Sequence, residues 1–247
     1  MTEQALGRSL TVTGLNVDLG ARQVLHDLEL TFAAGQLHFL IGANGSGKTT
    51  LLRALGQLLP YRGHIRWGDN DLQRWNARQV ARLMAWVPQS YVPHQPLSVY
   101  AYVLMGRFPY LNWLGQYQAA DHHAAQRAIT RMRLAPLQHR PINQLSGGER
   151  QKATIARALC QETDIILLDE PAQSLDPLAR QQLFDLLFEL ADEGKTLLCS
   201  THHLQPCNSA RVVALAQGKV VLDQHRPQFD AATMEKIYGA HSSPKNS

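Results

Sequence analysis

The chain has 247 residues, 45% of them apolar and 18% charged, with 24 Lys and Arg against 20 Asp and Glu for a net charge of +4. That composition excludes intrinsic disorder for most of its length and suits one large α/β unit or two tightly joined lobes, while a small, scattered basic excess gives no reason to expect a nucleic-acid partner. No apolar run reaches the roughly 18 residues needed to cross a bilayer, the N-terminus has no secretory leader pattern, and Cys160, Cys199 and Cys207 form no CxxC pair, which points to a reducing compartment.

Alternating apolar and polar residues over 10–17, and again around Leu28, Leu30 and Phe32 with a turn near Gly20, predict short antiparallel strands. A short apolar strand over 36–41 then runs directly into a glycine-rich loop, 42–47, and a helix over 48–59 stopped by Pro60. Between Pro88 and Pro141 the composition changes. Pro93, Pro96, Pro109 and Pro136 punctuate stretches rich in Ala, Gln, His and Arg, with helical spacing over 99–105 and 121–132, and the segment reads as a helical insertion. Beyond it, helices over 149–160 and 179–190 alternate with buried strands over 165–168 and 196–200, and a hairpin over 212–222 turns at Gln217-Gly218. The expected class is α/β, a parallel sheet with covering helices, and polar residues 241–247 read as a frayed tail.

Gly42-Ala43-Asn44-Gly45-Ser46-Gly47-Lys48-Thr49 fits G-x-x-x-x-G-K-[ST] and lies between a strand and a helix, as a phosphate-binding loop requires. Glycines let successive backbone N–H groups curl around phosphate oxygens, the helix that starts there and carries Thr50 points its positive end at them, Lys48 adds a mobile cation, and Thr49 is suited to ligate Mg²⁺. A glycine-rich turn before a helix is the plain alternative, and the Lys-Thr ending argues against it. Downstream, the apolar run 165–168 delivers Asp169 and Glu170 to the C-terminal edge of the sheet, where ligands sit in open α/β folds. Asp169 is suited to hold Mg²⁺ through water, and Glu170 to polarise the water that attacks a γ-phosphate. Taken alone, such a run is also common as a strand entering a solvated turn.

Leu145-Ser146-Gly147-Gly148-Glu149-Arg150-Gln151 resembles the LSGGQ signature of ATP-binding cassette (ABC) ATPases, with Glu149 where the family usually has Gln. It is equally a Ser N-cap before an amphipathic helix. The resemblance implies that Ser146, Gly147, Gly148 and Glu149 cradle the nucleotide of a partner subunit, so the working form would be a head-to-tail homodimer with two composite sites. Gln89 in Val87-Pro88-Gln89 resembles the Q-loop glutamine that contacts Mg²⁺ and the attacking water, Ser174-Leu175-Asp176 the D-loop, and His202 the switch histidine on the γ-phosphate. The implied fold is a P-loop NTPase (RecA-like) core with an N-terminal antiparallel β subdomain and an inserted α-helical subdomain. It would form a single nucleotide-binding domain over 1–240, with the β subdomain and first part of the core in 1–88, the Q-loop and helical subdomain in 89–150, and the rest of the core in 151–240.

Three positions depart from the family pattern. Leu19 stands where an adenine-stacking aromatic is expected, and Pro171-Ala172-Gln173 and Thr201-His202-His203 replace the commoner Pro-Thr-Ser and Ser-His-Asp. Cys199, His202, His203 and Cys207 have the wrong spacing for a zinc site, and His122-His123 reads as a solvated helical face. Leu104-Met105-Gly106-Arg107-Phe108-Pro109-Tyr110 resembles the G-R-x-P segment of the iron-chelate and cobalamin importer subgroup. Membership there implies an ATPase on the cytoplasmic side of the inner membrane that drives two copies of a permease fed by a periplasmic or lipoprotein receptor. The implied cargo is a ferric siderophore first, then heme or cobalamin. The coupling helix of the permease would dock along 89–107, where Tyr91, Val92, Tyr100, Val103 and Met105 serve as interface anchors or as ordinary helical core. A soluble ABC ATPase of iron–sulfur assembly is the competing class.

Overall fold

In β1 (Ser9–Leu19), Leu10 and Val12, then Leu15 and Val17, are buried, the alternation of a strand covered on one face reset by one residue between Val12 and Leu15. It pairs antiparallel with β2 (Arg22–Ala33), and both strands are long rather than the short ones expected, because their register absorbs irregularities on either side of Leu15 and Val17 and pairing continues past them. This computed structural model describes residues 8–89, 96–173 and 175–239. Next come β3 (Leu37–Ile41) and α1 (Lys48–Leu55), which ends before the expected 59 because Gly56 caps it and Gln57 turns into the left-handed region at φ 54°. β4 (Arg62–Trp67) and β5 (Asn70–Asp71) complete a four-stranded antiparallel sheet in the order β2-β1-β4-β5.

α2 (Ala77–Leu83) and β6 (Met84–Val87) follow, the helix opened by a capping box in which Asn76 and Gln79 bond each other's backbone N–H at 2.9 Å. α3 (Val99–Leu104) continues as a tighter 3-10 turn over Met105–Tyr110, and α4 (Ala119–Arg131) and α5 (Gly147–Cys160) pack against it. β7 (Ile165–Leu168), α6 (Pro177–Asp192), β8 (Thr196–Ser200), the hairpin β9 (Arg211–Ala216) and β10 (Lys219–His225), and α7 (Ala231–Tyr238) close the chain. The second sheet runs β10-β9-β3-β8-β7-β6, parallel throughout except for the β9–β10 pair. Its inner strands β3, β7 and β8 are buried at every residue, as strands covered on both faces must be.

Alternation sends the two faces of that sheet to two cores. Phe39, Ile41, Ile166 and Leu168 pack with α3 to α6, whereas Leu40, Ile165, Leu167 and Leu198 pack with α1 and the N-terminal sheet. The insertion is fastened to the core through Arg107, 7% exposed, which donates to Asp121 Oδ1 at 2.8 Å, Glu162 Oε2 at 2.9 Å and the Cys160 carbonyl at 3.1 Å. Its guanidinium carbon also lies 3.9 Å above the Tyr110 ring. Among the described residues no helix is long and apolar enough to cross a membrane. Tyr91, Val92 and the tail 241–247 lie outside the described residues.

Candidate nucleotide site

The parallel strands β3, β7 and β8 deliver their C-terminal ends to one edge, and the polar side chains that follow them meet there. From β3 the chain turns through 42–47, and Gly47 adopts φ 108°, which a side chain would oppose both sterically and by striking Leu25. Lys48 at the head of α1 bends back over the loop, its Nζ donating to the carbonyls of Gly42 at 2.8 Å and Ala43 at 3.2 Å. Burial lowers its pKa, while the carboxylates of Glu170 and Asp169 pull the other way. Ser46 Oγ is buried and has no hydrogen-bond partner among the described residues, the condition of a hydroxyl held for a ligand. The hairpin turn seals the loop from below. Gly218, at φ 75°, donates its N–H to the Ser46 carbonyl and accepts the His26 N–H, each at 3.0 Å, and a Cβ there would strike the Val24 carbonyl.

Asp169 is buried and accepts from Thr49 Oγ1 at 3.0 Å and Ser200 Oγ at 2.8 Å. Ser200 in turn accepts the Glu170 N–H at 2.8 Å, so one hydroxyl ties the two acids together. Glu170 takes the left-handed φ of 46°, unusual for a non-glycine residue, and this turns its carboxylate away from that of Asp169. Oε1 meets His202 Nε2 at 2.6 Å, and Oε2 accepts from Gln89 Nε2 at 3.2 Å, the same amide reaching Gln173 Oε1 at 2.8 Å. The cleft above, about 630 Å³, is lined by 44–50, Gln89, Glu170, Gln173 and His202, and by Leu19, Arg22 and Val24 of the first hairpin.

Gln89, Lys48, Thr49, Asp169, Glu170 and His202 are thus brought together, and Ser200, Gln173 and Arg22 join them unforeseen. Ser200 was legible only as the one hydroxyl ending an apolar strand. Ser146, Gly147, Gly148 and Glu149 form no part of the cleft lining. Ser146 caps α5, its N–H donating to Glu149 Oε2 at 2.8 Å and its Oγ accepting the Glu149 N–H at 3.3 Å, and these bonds hold the Glu149 carboxyl below its usual pKa. Asp176 likewise caps α6 through Ala179 N–H at 2.8 Å, and Ser174 lies outside the described residues. Val103 is fully buried core, Tyr100 bonds and stacks on the exposed His122, and Met105 lines a groove beside α2. Cys199 and Cys207 are buried, with their thiols on the Ser200 and His203 carbonyls.

Fold and cleft define a P-loop α/β cassette with a sheet-edge acid pair. The sequence profile of the ABC transporter family matches residues 25–173, and the chain belongs to that family, as one of its ATPases. It is 35% identical over 231 residues to the ferric enterobactin transport ATP-binding protein FepC of Escherichia coli (strain K12), covering 91% of this chain and 85% of that one. It is 35% identical over 236 residues to the manganese transport system ATP-binding protein MntA of Synechocystis sp., covering 93% and 90%. A solved metal-chelate type ABC transporter in an inward-facing conformation superposes with a TM-score of 0.81 at 26% identity, covering 94% of this chain and 89% of that one.

Proposed function

We propose that this ATPase is the subunit that powers an ABC importer of iron chelates, a ferric siderophore before heme or cobalamin. Within the cleft, the 42–50 loop and Lys48 take the phosphates, His202 reaches the γ-phosphate, and Glu170 accepts the proton of the attacking water that Gln89 helps to orient. The hard oxygens of Thr49 and Asp169, 3.0 Å apart, with the Gln89 amide nearby, suit Mg²⁺. Bound there it would offset phosphate charge. The cap of α5 stands apart from the cleft with its N-terminus presented, so Ser146 to Glu149 serve the nucleotide of a second copy across a head-to-tail homodimer, with Asp176 at the crossing.

The observation that carries the transport reading is an apolar groove of about 440 Å³ between the core and the insertion. Val80 and Ala81 of α2 line it together with Met105, Phe108 and Pro109, and with Trp86 on the strand leading to Gln89. An amphipathic helix from each of two permease subunits fits such a groove, and a push there is transmitted to Gln89. The assembly would sit on the cytoplasmic face of the inner membrane and receive cargo from a periplasmic or lipoprotein receptor. The iron assignment is supported by the buried Arg107 of the G-R-x-P segment and by the ferric enterobactin relative. The manganese relative, equally identical, fits a cassette that never touches cargo.

Pull-down from native membranes with tagged Glu170→Gln protein, ATP and Mg²⁺ tests this. Recovery of a polytopic permease, whose receptor binds ferric chelates, is the expected result. Soluble partners alone would instead favour the iron–sulfur assembly class.

A further inference from the structure

From Leu72 to Ala120 the chain contains no Asp or Glu, and its only charged side chains there are Arg74, Arg78, Arg82 and Arg107. Those four account for the whole net charge of +4, so the rest of the chain is balanced. The basic residues are scattered, but the acids are missing from one stretch. Arg107 is spent on Asp121 and Glu162, while the other three are exposed. Arg78 and Arg82 donate through Nε to the Pro109 carbonyl at 2.8 and 2.9 Å, and Arg78 also to the Leu111 carbonyl, neutral partners that leave both charges uncompensated. Arg74 makes no hydrogen bond or ion pair among the described residues.

Arg78 and Arg82 clamp the segment that next presents Trp113 and Leu114, 90% and 55% exposed, with Phe108 at 51% just before. The tip is built to hold them out. Asn112 Oδ1 accepts the N–H of Leu114 and of Gln116, both at 3.0 Å, and the Asn112 carbonyl accepts the Gly115 N–H at 3.0 Å. Among the described residues six large apolar side chains are exposed, and three of them are on this short segment.

We infer that this face is a peripheral contact for an anionic lipid surface. An indole on a rigid turn is suited to the headgroup layer, leucine to the acyl boundary below it, and unpaired arginines to the negative cytoplasmic leaflet. A permease loop is the poorer match, because cytoplasmic loops of membrane proteins carry a Lys and Arg excess that three arginines without acidic partners would repel. Phe108 and Pro109 also line the groove assigned to the permease, so the face continues that surface toward the bilayer. Only this orientation rests on the importer reading.

The full chain is sedimented with vesicles of phosphatidylcholine alone or mixed with phosphatidylglycerol. Binding to the mixed vesicles only, weakened by added salt, is expected. Trp113→Ser/Leu114→Ser should lose about tenfold or more in partitioning, and Arg74→Gln about fivefold, with ATP hydrolysis unchanged in both. No binding, equal binding to neutral vesicles, or indifference to these variants overturns the proposal. So does protection of Trp113 on assembly with the permease in lipid-free detergent, which would make the permease its occupant. A failed membrane pull-down with intact vesicle binding would sink the importer reading alone.

Discussion

His202 Nε2 lies 2.6 Å from Glu170 Oε1, so the imidazole proposed for the γ-phosphate is held on the carboxylate proposed as the base. With Gln89 on the other oxygen, both oxygens of that carboxylate are engaged. Exchange of His202 from Glu170 to phosphate would free Oε1 for water, which links arrival of the nucleotide to activation of the base.

Glu170→Gln keeps the shape and the contacts to His202 and Gln89 but cannot accept a proton. ATP binding should persist while hydrolysis falls by about 10²–10⁴, read by equilibrium titration beside single-turnover assays. Near-normal turnover would remove Glu170 from the role of base.

Lys48→Ala removes the only cation among the residues lining the loop from 44 to 50. Loss of a charge-assisted bond costs about 1.5–3 kcal/mol, so calorimetry should show ATP affinity reduced by roughly tenfold or more, with unfolding little changed. Unaltered affinity would contradict the assignment.

Ser200→Ala deletes the hydroxyl shared by Asp169 and the Glu170 backbone, leaving a part-buried N–H without its partner. Urea unfolding should register about 1–3 kcal/mol of lost stability. Turnover should fall more than ATP affinity, since the displaced groups are the acids rather than the phosphate loop.

His38 is buried with its Nε2 on the Ala33 carbonyl at 3.0 Å and its Nδ1 unbonded among the described residues. Burial, reinforced by Arg211 and His225 and opposed by the Ala33 bond, lowers its pKa to about 4. The folded state therefore favours the neutral ring, and its stability is complete above the unfolded pKa near 6.5 and lost as pH falls toward 4. The loss amounts to ~3 kcal/mol. Urea midpoints across that window should drop in the parent and flatten in His38→Leu.

Arg107→Met strands Asp121 in the insertion core. Burial works to raise the Asp121 pKa, but the Gln118 N–H and Arg107 outweigh it and keep the carboxyl low. Removing the cation should cost about 3–5 kcal/mol, and Asp121→Asn in the same chain should recover part of it. Equal additive losses would show that the two are uncoupled.

The strands over 165–168 and 196–200 were placed to the residue from sequence, because short runs with apolar centres, Ile165 to Leu168 and Leu197 to Cys199, between polar residues are the pattern of a strand covered on both faces. α2 was not legible because its seven residues, with Val80 and Leu83 buried, are too few to carry a period, although Asn76 and Gln79 already spell a capping box. β4 was hidden by Gly63 and by basic residues on its open face. The phosphate loop and the acid pair were legible because backbone chemistry fixes their spacing. Ser200 and Arg22 were not, since each reaches the cleft from an element whose neighbours in space are distant in sequence, and Gln173, three residues after Glu170, declares itself only through its bond to Gln89, 84 positions away.

Gly218 bonds Ser46 on one side and His26 on the other, riveting the C-terminal hairpin between the phosphate loop and the first hairpin. Three stretches that are far apart along the chain are therefore one mechanical part. The wall at Leu19 and Arg22, proposed to face the base, cannot tilt without dragging the floor proposed for the phosphates. Whatever swings during the working cycle, the pivot has to lie beyond this block, toward the insertion, and a cross-link from 26 to 218 should leave the stroke intact.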